Sequence, residues 1–68
     1  MQVVLNGEPR DLPEASTVAE AIERAGAPST QRGVAVAVDG EVVPRGEWAS
    51  LTLHEGQRVE VLQAVQGG

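Results

Sequence analysis

Residues 2–25, QVVLNGEPRDLPEASTVAEAIERA, place a hairpin beside a capped helix and decide the fold class. Val3 and Leu5 alternate with Gln2, Val4 and Asn6, the period of a half-buried strand. Asn6-Gly7 is the strongest short-range hairpin signal, because both residues tolerate positive φ. The return strand is expected at about Glu8 to Leu12, and Pro9, with no N–H for a ladder, confines it to a sheet edge. Pro13 ends it. Thr17-Val18-Ala19-Glu20 then has capping-box spacing, with a hydroxyl that accepts a first-turn N–H and a carboxylate that reaches back to the Thr17 amide. Val18, Ala21, Ile22 and Ala25 fall on one stripe at i, i+3, i+4 and i+7, with Glu20, Glu23 and Arg24 opposite. Gly26 and Pro28 stop this helix after about nine residues, too short to stand without packing against a sheet.

Further along, Val34, Val36 and Val38 alternate with Ala35 and Ala37, and Asp39-Gly40 turns the chain into Glu41, Val42 and Val43 before Pro44. A short helical turn is expected from Arg45 to Ala49, a brief strand at Leu51 and Leu53, and a turn at Glu55-Gly56. The last strand is expected to run from Arg58 to Val65, with Val59 and Val61 on one face and Glu60, Leu62 and Ala64 on the other. Two hairpins flanking one helix, with a final strand that needs a central slot, give an α+β fold with the helix across one face of the sheet. Val3, Leu5, Ile22, Val36, Val38, Val59 and Val61 are the expected shared core, and Trp48, the single aromatic residue, is expected to plug its edge.

The 68 residues allow one small domain and little room for a deep substrate pocket. Ten acids against five arginines give a net charge of −5, which disfavours nucleic acid and anionic membrane surfaces. No apolar run approaches the roughly 18 residues of a membrane span, so a cytoplasmic protein is expected. The chain has no cysteine and a single imidazole, His54, so neither a structural zinc site nor a His-based facial triad for a metal can be assembled from it, and nothing in the sequence builds the oriented base and oxyanion hole that a serine nucleophile beside His54 would need. No other Gly-rich run offers a phosphate loop, and no catalytic side chain is expected.

The chain ends in Gly67-Gly68, which by chance occurs in about one chain in 200 at average glycine usage. A tail without side chains fits a narrow channel and lets its backbone approach a nucleotide closely. Its α-carboxylate is a poor acyl donor until one oxygen attacks the α-phosphorus of ATP and expels pyrophosphate. A sulfur nucleophile can then replace AMP and leave a thiocarboxylate. Magnesium, ATP and any reactive cysteine would belong to the partner enzyme. Leu62 and Ala64, apolar side chains on an otherwise open face near this tail, are the expected docking surface. Arg45 is divided between pairing with a nearby acid and binding a partner.

Beyond these readings, the whole chain resembles the small β-grasp sulfur carriers of thiamine thiazole biosynthesis. The resemblance rests on Met1-Gln2-Val3-Val4-Leu5-Asn6-Gly7, Thr17-Val18, the run Val36-Ala37-Val38-Asp39-Gly40-Glu41-Val42-Val43-Pro44-Arg45 with Trp48, Glu55-Gly56, and Gln63-Ala64-Val65-Gln66-Gly67-Gly68. It implies a ubiquitin-like, mixed sheet of about five strands with one helix, the first and last strands being parallel neighbours. Residues 1–65 would be the single domain, and 66–68 a flexible tail, disordered in the isolated protein. It further implies that Gly68 is adenylated and thiocarboxylated, with Gln66 and Gly67 as the tail and Leu62, Ala64, Val65 and Arg45 towards partners. Those partners would be an adenylating E1-like enzyme, a sulfur donor such as a cysteine desulfurase, and thiazole synthase, served by a carrier that is not an enzyme and is monomeric when free. A related carrier for molybdopterin or tRNA thiolation, and a ubiquitin-like modifier, are the alternatives; Pro44-Arg45-x-x-Trp48 and the short length favour the thiamine branch.

Overall fold

The computed structural model describes residues 1–26 and 33–63. In chain order the elements are β1 (Gln2–Leu5), β2 (Glu8–Asp11), α1 (Val18–Arg24), β3 (Val34–Val38), β4 (Glu41–Val42), a 3₁₀ turn (Arg45–Glu47) and β5 (Arg58–Gln63). The sheet order is β2-β1-β5-β3-β4, with the last strand in the central slot. β5 is antiparallel to β3 and parallel to β1, so the sheet is mixed, as the family resemblance implied. Each outer strand is the return arm of a hairpin. Asn6 and Asp39 take φ of 50° at the two turns, followed by Gly7 and Gly40 at 82° and 85°, the backbone that Asn-Gly and Asp-Gly favour. Pro9 lies in β2 at the sheet edge, where its missing N–H costs no ladder bond.

Thr17 caps α1 with the full capping box: the Glu20 N–H donates to Thr17 Oγ1, and the Thr17 N–H donates to Glu20 Oε1. Val18, Ala21 and Ile22 are fully buried against the sheet. They meet Val3, Leu5, Val36, Val38, Val59 and Val61, so every expected core residue is in the core. Leu12, Val34, Val43, Leu53 and Trp48 complete it. Trp48 is 3% exposed, and its indole N–H donates to the Val43 carbonyl at 2.9 Å, which satisfies the one polar atom the ring carries inside.

The sequence reading differs from the structure at Leu51 to Leu53. No strand forms there, only an isolated bridge between Thr17 and Thr52. The backbone is instead committed to the helix start. The Val18 N–H donates to the Leu51 carbonyl and the Ala19 N–H to the Trp48 carbonyl, while the Leu53 N–H donates to Ser16. First-turn amides have no partner within their own helix, and this segment supplies one where a ladder would have consumed the carbonyls. The helix is also shorter than expected, seven residues with Ala25 as the C-cap, and β2 stops at Asp11, one residue before Leu12 turns into the core. β4 ends at Val42 and the helical turn at Glu47, each short of the expected boundary.

Candidate functional site

The helix covers one sheet face only. Because strand side chains alternate, burying Val59 and Val61 sends Arg58, Glu60 and Leu62 to the other face. Cross-strand register adds their neighbours: Leu62 stands opposite Ala35, Glu60 opposite Ala37, and Val42 also opposite Ala37, while Val4 pairs with Arg58. The result is an open face with Val42 78% and Leu62 66% exposed, larger apolar exposure than any other described side chain of comparable size. A shallow groove of about 410 Å³ runs along the β1–β5 seam of this face, lined by Val4, Asn6, Arg58, Glu60 and Leu62 among others. Small side chains on β3 leave the centre flat, so a partner surface can approach the backbone.

Leu62 therefore sits where the alternation placed it. Arg45 does not line this groove; it lies exposed at the 3₁₀ turn, its guanidinium 4.5 Å from the centre of the Trp48 ring. Such a stack holds the cation with about 0.5–1 kcal/mol at an exposed site. Ala64, Val65, Gln66, Gly67 and Gly68 lie outside the described residues, as does the end of the expected last strand. His54 is an exposed turn residue whose backbone N–H donates to Gln57 Oε1, and its imidazole has no catalytic neighbour among the described contacts. Among the described residues no group of three His, Asp or Glu side chains converges to hold a metal.

Two side chains govern β5 from its flanks. At its start, Asp39 Oδ1 accepts the Arg58 N–H at 3.0 Å and Oδ2 accepts from Gln57 Nε2 at 3.1 Å. The Arg58 amide first, then the Gln57 side chain, hold the Asp39 carboxyl below its ordinary range, because both bonds favour the ionised form. Further along, Asn6 Oδ1 accepts the Val61 N–H at 2.7 Å while Asn6 Nδ2 donates to the Val61 carbonyl at 3.2 Å. Sequence reasoning singled out neither role. For Asn6 no local signal exists, since the contact needs β1 and β5 side by side. The exposed Val42 had one: a two-residue Asp39-Gly40 turn sets Val42 opposite Ala37, hence on the uncovered face.

A five-stranded mixed sheet grasping one helix, with a bare apolar face beside the central C-terminal strand, is a β-grasp domain of the small carrier type. Comparison with known proteins narrows this. The model of the ThiS family matches residues 3–68. The sulfur carrier protein ThiS of Escherichia coli (strain K12) is 29% identical over 68 residues, covering all of both chains. A thiazole synthase of Paramagnetospirillum magneticum (strain ATCC 700264 / AMB-1) is 32% identical over 68 residues, which is all of this chain but 20% of that protein. Among solved structures, the crystal structure of thiamine biosynthesis protein ThiS from Geobacter metallireducens superposes with a TM-score of 0.78 at 28% identity, each chain covered in full. The solution structure of a thiamine biosynthesis protein from the same organism gives 0.76 at 28% identity, covering 88% of that chain. The chain belongs to the ThiS family.

Proposed function

We propose that this chain is the sulfur carrier of thiazole formation in thiamine biosynthesis, a small protein that carries sulfur and does not itself catalyse. The observation that carries the reading is the full-length likeness to a sulfur carrier, with the family match running through Gly68. Its working group is the α-carboxylate of Gly68. An E1-like partner, with ATP and magnesium, lets one carboxylate oxygen displace pyrophosphate from the α-phosphorus. Hydrosulfide then attacks the acyl carbon and AMP leaves, so one oxygen of the terminus is replaced by sulfur. If the donor is instead a persulfide charged by a cysteine desulfurase, the same attack gives an acyl disulfide, and a second thiol must reduce the S–S bond. Gln66 and Gly67 carry the end into the nucleotide site, and the face at Leu62, continued by Ala64 and Val65, docks the enzyme. Arg45, held on Trp48, is a second contact at the β4 side.

Thiazole synthase is the acceptor in this reading. What supports it is that a chain of that name contains a segment resembling this entire protein. Joining donor and acceptor in one chain raises their effective concentration without any new contact, which favours two modules that act on each other. The test is intact mass after incubation with the adenylating enzyme, ATP, magnesium and sulfide, where replacement of one oxygen by sulfur is expected. Deleting Gly68 shortens the reach by about 3.3–3.6 Å, against a misplacement of about 1 Å that already costs about a hundredfold. Pyrophosphate exchange and sulfur incorporation should therefore be abolished while docking survives. A truncated protein that supports both as well as the full chain does would refute the assignment.

A further inference from the structure

The Asn6 carboxamide replaces one peptide unit of the sheet. β1 and β5 pair in parallel at Val4 with Arg58 and Leu5 with Val59, and the Val4 and Asn6 amides donate to the carbonyls of Gln57 and Val59. In a regular parallel ladder the next two bonds would join the Val61 N–H to the carbonyl of residue 6 and the Val61 carbonyl to the amide of residue 8. Neither can form, because the chain leaves the sheet direction at Asn6, with φ of 50°, to begin the hairpin turn. The side chain makes both bonds instead. Its oxygen accepts the Val61 N–H at 2.7 Å and its nitrogen donates to the Val61 carbonyl at 3.2 Å. A carboxamide is the one side-chain group here with the donor and acceptor geometry of a peptide, and asparagine also tolerates the turn's positive φ.

This substitution prolongs two-sided support of β5. On its other edge β5 pairs with β3 from Val59 to Gln63. With Asn6 in place, the strand is flanked on both sides as far as Val61. Without it, two-sided pairing ends at Val59, and the remainder becomes half of a two-stranded ribbon, which twists more than a strand inside a sheet. The direction in which the chain leaves β5 towards its C-terminus would change accordingly. We infer that Asn6 is a positioning residue for activation of the Gly68 carboxylate, acting through the Val61 clamp to fix the end of β5, at Gln63, from which the chain runs on to the reacting group; this rests on the carrier reading above. The docking face should be spared, because Leu62 stays paired with Ala35 on the β3 side.

The experiment follows ATP–pyrophosphate exchange by the adenylating partner, with kcat and KM for the carrier, alongside amide hydrogen exchange at Val61. Asn6→Gly keeps the left-handed turn and removes the clamp. Asn6→Asp keeps the acceptor for the Val61 N–H but turns a carboxylate oxygen towards the Val61 carbonyl, and it guards against an unfolded glycine variant. Ile22→Val, which trims the helix side of the core and leaves both Asn6–Val61 hydrogen bonds in place, is the control for stability alone. Both Asn6 variants should lower kcat about tenfold to a hundredfold, the scale set by misplacing a reacting group by about an ångström. KM should stay within about twofold. Val61 should exchange faster in Asn6→Gly, while Ile22→Val keeps wild-type kcat. Unchanged kcat in both Asn6 variants, a change confined to KM, or an equal loss of kcat in Ile22→Val overturns the positioning role while the carrier reading stands. Failure of the wild-type chain to support exchange overturns the carrier reading, and the positioning role with it.

Discussion

The two faces of one sheet are built from the same strands by alternate residues, and they have opposite fates. On the helix side Val3, Leu5, Val36, Val38, Val59 and Val61 are at most 8% exposed. On the other side no described element lies above Val4, Ala35, Ala37, Val42, Glu60 and Leu62; Val4 and Ala37 are half-buried, while Val42 and Leu62 are too exposed to contribute much to folding. Burying a valine or isoleucine contributes about 1.5–3 kcal/mol, whereas an exposed leucine contributes to a partner's binding or to nothing. The difference teaches that one residue of a strand can be changed without touching the core while its neighbour cannot. Val61 and Leu62 are neighbours in sequence, yet Val61 is 6% exposed and Leu62 66%.

The most severe way to break that comparison is to empty the helix side. Ile22 is fully buried at the centre of the α1 stripe. Ile22→Ala is expected to cost about 2–5 kcal/mol, from lost transfer free energy and the cavity left behind. Total stability for a domain is about 5–15 kcal/mol and falls at the low end for a chain this short, so the variant should be partly unfolded at 37 °C. Chemical denaturation reads this directly. A midpoint equal to that of the wild type would mean the helix face contributes little, and the two sides would not differ in kind.

A charge on the open face sharpens the comparison from the other side. Leu62→Glu leaves the core untouched, and surface substitutions of this kind usually change stability by within about 0.5 kcal/mol. If the face docks the adenylating enzyme, the same substitution desolvates a carboxylate at the middle of an interface and should weaken the complex by about 2 kcal/mol, roughly thirtyfold in Kd. Calorimetry of binding beside thermal melting separates the two effects. Unaltered affinity would reduce the face to ordinary surface.

Much of this division is legible in the sequence, and what is not has a common cause. The Asn6-Gly7 and Asp39-Gly40 turns, the Thr17 cap and the two-residue alternation are local signals, so hairpins, helix and core face follow from them. Leu51 and Leu53 carry the same alternation yet form no strand, because the competing demand comes from helix amides distant in the chain. The Asn6 clamp is similarly hidden. Its partner, Val61, is 55 positions away, and nothing in the residues near Asn6 records that the last strand lies alongside. At the candidate site, Leu62 could be read from the period of β5, whereas Val42 required the turn register as well.

The smallest expected effect concerns the entry of β5, from which both faces extend. The Arg58 amide, chiefly, and the Gln57 side chain lower the Asp39 pKa below its ordinary value of about 3.9. The folded protein therefore binds fewer protons at Asp39 than the unfolded chain does when the pH lies between the two values. A depressed pKa stabilises the fold fully above the unfolded pKa and loses that contribution as pH falls through the folded one. Asp39→Asn removes the titration while keeping an oxygen for the Arg58 N–H and a residue suited to the turn's φ of 50°. Because Asp39 is exposed, solvent screening keeps the effect small. The gap in Tm between wild type and Asp39→Asn should be constant from about pH 7 to pH 5 and should shift against the wild type below about pH 4. Repeating the series with Asn6→Asp gives the contrast, since that carboxylate faces a carbonyl at Val61, and protonating it at low pH restores a donor. Its gap should therefore also move against the wild type with acid, but because the variant gains stability, whereas at Asp39 the wild type loses it. Gaps for both variants that ignore pH would mean that these side chains do not hold β5, and that the last strand is kept in place by its ladders and its buried face alone.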